Sequence, residues 1–405
     1  MARLVTGLDI GTSTIKCIVA EEKKNGILSV VSVARAPSFG FQRGVLVDAS
    51  EAAQGLRDLV LDLQKISRSA AANVLVNLNS SQVRTRISRG LTAVARADRE
   101  IQQDDIDKAI QLAQAVKRQE NYTILHSIVR EYFVDDVGNM HDPVGMTGNR
   151  LEASTFIIEA FMPQVTLISK TLERVGMKVN GFVFNPLASA RSVLTKSQKD
   201  LGVLLIDFGF HTTSFVVYEE GKISYARSLP VGSQHVTNDL AIGLQVSIEA
   251  AEKIKIHVGN ALSENVPRKE TVPLSEFERK NDAEIPRRYI AEIIEVRLAE
   301  ILDLVNNELK SLGKSARFPS GIVITGGGSK QKGLSDLIQK GMKSYVQFGF
   351  ADTRELEILN PTHREYLEDP EFSVALGLVH LAESGNGHPR SVREFLRDFL
   401  GNIIP

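Results

Sequence analysis

The chain has one cysteine, no tryptophan and 6% aromatic residues among its 405. A single thiol, Cys17, excludes an intramolecular disulfide framework and a cysteine-rich zinc site. Charge of either sign is not in excess: the formal net charge is -1 and the sequence pI ≈ 6.7. A basic surface that holds nucleic acid needs surplus Lys and Arg to displace counterions, so no nucleic-acid partner is expected. No apolar run approaches the ~18–20 residues of a membrane span, and the start MARLVTGLDIG lacks the long apolar region of a signal peptide. The expectation is a chain of the reducing cytoplasm, neither secreted nor threaded through a bilayer. What is plentiful is apolar side chain, at 43%. Over this length it can bury a large core divided into two or more globular units.

Two stretches repeat one another. GLDIGTSTIKCIVAEE at 7–22 and LIDFGFHTTSFVVYEE at 205–220 align over about fourteen positions at a spacing of 198 residues. Asp9 falls over Asp207, Gly11 over Gly209, Thr14 over Thr212 and Val19 over Val217. Each reads as a strand, a tight glycine-containing turn and a second strand of alternating polarity. The turn suits phosphate: glycine lets backbone approach an anion, hydroxyls and turn N–H groups donate to its oxygens, and an Asp can hold a hydrated magnesium ion. A plain hairpin would explain one copy. Two copies in register make an internal duplication the better reading.

Further elements carry less weight singly. SGIVITGGGSKQKGLSDLI at 320–338 reads as a buried strand, three glycines and a helix, so that a flat ligand can lie on bare backbone. It does not fit G-x-G-x-x-G, since 331 is Gln, and no segment fits G-x-x-x-x-G-K-[ST]; a Rossmann site and a Walker P-loop both lose support. SIEAAEKIKIHVG at 247–259 predicts a helix with Glu252 and Lys255 on one face, a surface ion pair if isolated. In 41–64 an apolar strand precedes a helix started by an Asp48/Glu51 capping box, with Ala52, Leu56, Leu59, Val60 and Leu63 on one face. The block near 84–162 reads as one helix and two strands with no catalytic constellation. After the polar stretch ESGNGHP, the C-terminal RSVREFLRDFLGNIIP places Val392, Phe395, Leu396, Phe399, Leu400, Ile403 and Ile404 on one side of a helix. Arg390, Arg393 and Arg397 flank that side, the pattern of a helix lying in a membrane interface. Each Arg near an anionic leaflet contributes about 1 kcal/mol, so one such helix binds reversibly and a polymer of them binds by avidity.

In this order the elements resemble the actin-like ATPase superfamily. The motifs GLDIGTSTIK, RGVLVD, REIQQDDIDKAI, NPLASARSVLT, LPVGSQHVTNDLA, AEKIKIHVGNA, ITGGGSKQKGL and DPEFSVALGL together resemble the FtsA family of bacterial cell-division proteins, from about residue 5 to 381. That resemblance implies a duplicated α/β, ribonuclease H-like fold closing on ATP and Mg2+. It implies subdomain IA over 1–83, 163–197 and 347–381, IC over 84–162, IIA over 198–232 and 305–346, IIB over 233–304, a linker over 382–390 and a membrane-targeting helix over 391–405. Carried over by position, Asp9, Gly11, Thr12, Ser13, Thr14 and Lys16 form the first phosphate loop, and Asp207, Gly209, Thr212, Thr213 and Gly232 the second, with Asp9 and Asp207 organising the metal. Glu252 and Lys255 hold the ribose, and Gly326, Gly327 and Gly328 the adenosine.

The implied partners are the C-terminal tail of the tubulin-like protein FtsZ on subdomain IIB, other copies of the chain through subdomain IC, other division proteins and an anionic membrane. Arg287, Arg288 and Arg297 could meet the acidic tail or form a solvated basic face. The second loop departs from the superfamily pattern, with Phe210 and His211 where glycine is usual: their side chains could crowd the phosphates, or His211 could donate to one, but a histidine packed beneath the turn is the first reading. No residue stands out as a general base, Asn185 being the polar candidate in its segment, so the expectation is ATP binding with slow or absent turnover at the cytoplasmic membrane face. Alternatives are a PilM-like peptide-binding adaptor of a pilus machine and a sugar or acetate kinase on the same fold.

Overall fold

The computed structural model describes residues 3–23, 27–115, 119–279, 281–311, 318–354 and 356–383. Two mixed sheets form its centre. The first runs, in spatial order, Val179–Phe184, Val74–Leu78, Arg3–Ile10, Thr14–Glu22, Leu28–Pro37 and Leu356–Ile358. The second runs Val346–Phe348, Ile322–Thr325, Val203–Phe208, Thr213–Glu219 and Lys222–Leu229. Five strands of each sheet thus share one order and one set of directions: the three strands from Arg3–Ile10 to Leu28–Pro37, and from Val203–Phe208 to Lys222–Leu229, are antiparallel, and the two on the other side of each hairpin are parallel. The register repeats too: Asp9 faces Lys16 and Asp207 faces Ser214 across their hairpins. The fold is a duplicated actin-like α/β architecture, as the repeat predicts.

Val203–Phe208 is buried at every residue, the pattern of a strand covered on both faces. On one face lies the helix Asn185–Val193, which touches strands of both sheets. One apolar cluster therefore runs from Leu8 and Val76 through Leu187 and Ala190 to Leu205 and Val216. Each large side chain so buried contributes about 1.5–3 kcal/mol. The helix Ser373–Glu383 lies against this linking helix so closely that a Cβ on Gly377 would stand 1.8 Å from the Ala188 carbonyl oxygen. That helix reaches Glu383, two residues into the linker expected from 382. The amphipathic helix expected over 391–405 lies outside the described residues. Among the described residues no helix is long and apolar enough to cross a membrane.

The expected helix after residue 48 is Ala49–Ile66, and its five expected core residues are all buried. Asp48 caps it by accepting from the Ser50 and Glu51 N–H groups. The reciprocal half of the capping box does not close, because the Asp48 N–H goes to the Gly40 carbonyl, 3.1 Å away.

The inserted block is a four-stranded antiparallel sheet, Arg84–Ala93, Arg150–Phe161, Tyr122–Val134 and Val137–Met140, with the helix Gln103–Gln114 on one face. Two of these strands exceed the expectation. RTRISRGLTA does not look like a strand because arginines interrupt it, yet Arg86 pairs with Glu159 at 2.6 Å and Arg89 with Glu152 at 3.0 Å across the ladder. A second unit, the helices Ser233–Leu244, Ile248–His257 and Arg287–Ser311, packs around Val236, Leu240, Ile254, Ile294 and Leu298.

Candidate functional site

Both glycine turns close in one way. The Gly11 N–H donates to the Thr14 carbonyl at 3.1 Å and the Gly209 N–H to the Thr212 carbonyl at 2.8 Å. A Cβ at either glycine would stand 2.6–2.7 Å from that same carbonyl oxygen, so neither turn admits a side chain there. The first loop is open, with Ser13 exposed and Gly11, Thr12 and Thr14 half-buried. The second is held from behind: Ser233 and Gln234 N–H groups donate to the Gly209 and Phe210 carbonyls at 3.0 and 2.8 Å. The first N–H groups of the helix Ser233–Leu244, which have no partner inside the helix, are satisfied in this way. Gly232 allows the approach, since its Cβ would lie 2.6 Å from both carbonyl oxygens.

A chain of amides joins the hairpins. Asn77 receives the Ile10 N–H on its oxygen (2.7 Å) and donates to Asp9 (2.6 Å) and to Asn185 (2.9 Å); Asn185 donates to Asp207 (2.7 Å). Asn79 donates to the Thr212 hydroxyl (2.9 Å) and accepts from Ser228 (2.7 Å). Asn77 and Asn79 did not figure among the expected site residues. The available signal was VNLN, two asparagines two apart at the end of an apolar strand, a residue type that strands avoid. Lys16 is mostly buried and reaches Asp9 at 3.3 Å.

Burial raises Asp9 above the ordinary carboxylate range, against the pull of Lys16. Asp207 is pushed up to about 7, by burial first and by the Asp9 charge second. A buried carboxylate pushed up by a second buried carboxylate beside it suits a divalent cation, which relieves that repulsion. Magnesium, retaining several waters, needs only one or two protein carboxylates. Among the described residues no three His, Cys, Asp or Glu side chains cluster as a metal site.

Gly326 adopts φ +83, and its Cβ would stand 2.1 Å from Asp207 Oδ1 and 2.7 Å from the Phe208 carbonyl oxygen. The stretch Gly326, Gly327 and Gly328 therefore lies directly on the base of the second hairpin. Glu252 and Lys255 pair at 2.6 Å, and Lys255 also donates to the Thr237 hydroxyl at 2.9 Å. Burial lowers Lys255 while Glu252 opposes that shift. Its ammonium lies 5.8 Å from the Phe210 ring centroid, so Phe210 leans toward the Glu252/Lys255 helix. The His211 ring lies against Phe210, tilted, with centroids 4.9 Å apart, and burial lowers its affinity for a proton. Its Nδ1, like the Thr213 hydroxyl, is buried with no hydrogen-bond partner among the described residues, an uncommon state for a buried polar atom.

The three arginines of the Arg287–Ser311 helix stand apart from this cleft, each paired within the chain. Arg287 binds Glu270 (2.7 Å) and the Val258 carbonyl (2.8 Å), and Arg297 binds Asp239 and Glu300. Arg288 makes a longer contact, 3.5 Å, with Glu292.

The family model described as "Cell division protein FtsA" matches residues 204–377, and "SHS2 domain inserted in FTSA" matches 80–159. The "Cell division protein FtsA" of Pseudomonas aeruginosa is 33% identical over 347 residues, 86% of this chain and 83% of its own. That of Neisseria meningitidis is 31% identical over 385 residues, 94% of this chain and 90% of its own. Among solved structures, a "PilM-PilN type IV pilus biogenesis complex" chain superposes with TM-score 0.67 at 17% identity, covering 94% of this chain and 98% of that one. MreB5 of Spiroplasma citri bound to ADP does so with TM-score 0.54 at 13% identity, covering 95% and 99%; at such identities these likenesses speak for the fold alone. With two matched hairpins, an inserted four-stranded unit and relatives alike over most of its length, the chain belongs to the FtsA family of cell-division proteins, built on the actin-like ATPase fold.

Proposed function

We propose that this chain binds ATP with Mg2+ between its two glycine hairpins and uses the bound state to set its assembly on a membrane at the division site. The observation that carries the reading is the Asp9, Asn77, Asn185, Asp207 bridge, which joins the two phosphate-type turns through side chains alone. A triphosphate entering between the turns would meet the Gly11–Thr14 backbone on one side and Thr212, Thr213 and His211 on the other. Lys16 would neutralise part of its charge, Asp9 and Asp207 would hold the hydrated metal, and the glycine loop with Glu252 and Lys255 would take adenosine. Bound magnesium would supply charge neutralisation there. Both aspartates are engaged by amides, which favours slow turnover or none over rapid hydrolysis.

The division into subdomains IA, IC, IIA and IIB stated above belongs to this proposal. The unit over 233–304 would receive the FtsZ tail. It exposes Ile242 and Val296, apolar anchors beside basic residues, and Arg288 has the most loosely held charge of the three arginines on the Arg287–Ser311 helix. An acidic tail would compete with Glu270 and Asp239 for the other two. Copies would assemble with the inserted sheet at the contact, where Ile87 and Leu91 are exposed. The C-terminal helix, through Val392, Arg393, Phe395, Leu396, Arg397, Phe399, Leu400, Ile403 and Ile404, would hold the assembly on the cytoplasmic face of the membrane.

The test is co-sedimentation with anionic liposomes of the full chain and of a chain ending at Leu381, each with and without ATP and an FtsZ tail peptide. Pelleting by the full chain alone, with the peptide carried along, supports the tether. Equal pelleting of both chains refutes the membrane anchor, and a peptide left in the supernatant refutes the FtsZ contact.

A further inference from the structure

Away from the cleft, a cavity of about 810 Å³ opens where the segment 191–200 passes from the first sheet unit to the second. Arg191 and Lys199 line it, as do Asp352, His380 and the exposed Asp200 and Glu220. Among the described residues no carboxylate pairs with Arg191 or Lys199. The near candidate, Asp352, is engaged by Arg354 through two bonds of 2.9 and 2.6 Å. Lys199 instead rests its ammonium 5.3 Å from the Tyr218 ring centroid. Burial first and Arg191 second push Lys199 down to about 8, and the same two push His380 down to about 4 against the pull of Asp352.

We propose that this cavity binds a phosphate group through Arg191 and Lys199. A guanidinium offers a planar fork and an ammonium a point charge, and the tetrahedral oxygens of a phosphate satisfy both at once. The cavity has the size of a small-ligand site. Two sources share this chemistry: a soluble phosphate ester, or the headgroup of an anionic phospholipid. The second is natural here because His380 lies one helical turn before Glu383, from which the chain leaves toward its C-terminal segment. The inference is independent of the nucleotide reading, since no residue of the cleft lines this cavity.

The experiment is calorimetric titration of the full chain, presaturated with a non-hydrolysable ATP analogue and Mg2+. The probes are sn-glycerol 3-phosphate, dihexanoyl phosphatidylglycerol below its micelle concentration, and citrate as a carboxylate control. Saturable binding of either phosphate compound, weakened at least ~tenfold in Arg191→Gln and in Lys199→Gln, supports the site, tenfold being 1.4 kcal/mol. Tighter binding of the lipid than of glycerol 3-phosphate identifies a headgroup, and the reverse order a soluble ester. A readout on the wild-type chain guards against variants that fail to fold: the Lys199 ammonium, followed by NMR of its ε-carbon, should titrate higher once the ligand is bound. No saturable binding in the millimolar range, citrate bound as well as phosphate, unaltered affinity in both folded variants, or an unmoved Lys199 titration would each overturn the proposal.

Discussion

Asn77→Ala removes an amide buried between the hairpins that makes three hydrogen bonds, to the Ile10 N–H (2.7 Å), Asp9 (2.6 Å) and Asn185 (2.9 Å). A buried N–H left without a partner costs about 1–3 kcal/mol, a bond to a charged acceptor contributes about 1.5–3, and a neutral amide pair about 0.5–1.5. The gross loss is about 3–7.5 kcal/mol. Water entering the space of the lost amide would recover part of it, leaving ~3 kcal/mol. The loss is local, because the amide braces one strand end rather than the core. Hydrogen exchange read by mass spectrometry on a peptide spanning residues 8–14 should show the Ile10 amide exchanging about a hundredfold faster, since each 1.4 kcal/mol is a factor of ten. Exchange in the inserted sheet should not change. Asn77→Asp should disturb the site more, by adding a third acidic group beside Asp9 and Asp207. Unchanged protection at residues 8–14 in Asn77→Ala would show that the bridge does not brace the hairpin.

Gly326→Ala combines a left-handed backbone angle, φ +83, with a Cβ 2.1 Å from Asp207; the angle alone costs ~1–2 kcal/mol. Binding of a fluorescent ATP analogue should weaken at least ~tenfold, while Gly341→Ala, which meets nothing within 4 Å, should leave it unchanged. Lys222 is mostly buried and donates to Glu131 at 2.9 Å and Asn139 at 2.8 Å, joining the second sheet to the inserted one. Lys222→Met should destabilise by ~3 kcal/mol in a thermal melt, and Lys222→Met with Glu131→Leu should recover most of it, because the cost comes from an unpaired charge. His126 and His380 are held neutral by burial, pushed down to about 3 and about 4. The unfolded chain takes up their protons near pH 6.5 and the folded chain does not. Stability should therefore be intact above that pH and fall as pH drops from 6.5 toward 4, by about 1.4 kcal/mol per unit for each histidine. Urea midpoints across this range measure it. His126→Gln, whose amide oxygen can still accept the Phe184 N–H, should flatten the slope by one histidine's share.

The alternation and glycines of 7–22 and 205–220 were enough to place two hairpins, because a turn is decided by the residues within it and a strand by a period of two. The amphipathic face of Ala49–Ile66 was legible for the same reason at a period near 3.6. Neighbours across the ladder were not legible. Arg84–Ala93 hid as a strand because the carboxylates that answer its arginines lie more than sixty residues away. The paired state of Arg287 and Arg297 hid likewise, since Glu270, in a turn, and Asp239, on another helix, reach them only once the unit has folded. Asn77, Asn185 and Asp207 become one chain of hydrogen bonds only when the helix Asn185–Val193 settles between the two sheets. By itself the sequence determined which segments turn, which extend and that the unit occurs twice, all matters of local steric fit and periodicity. Only the tertiary structure decided which polar groups meet, because in a desolvated interior each buried donor or carboxylate takes the partner that packing brings within about 3 Å.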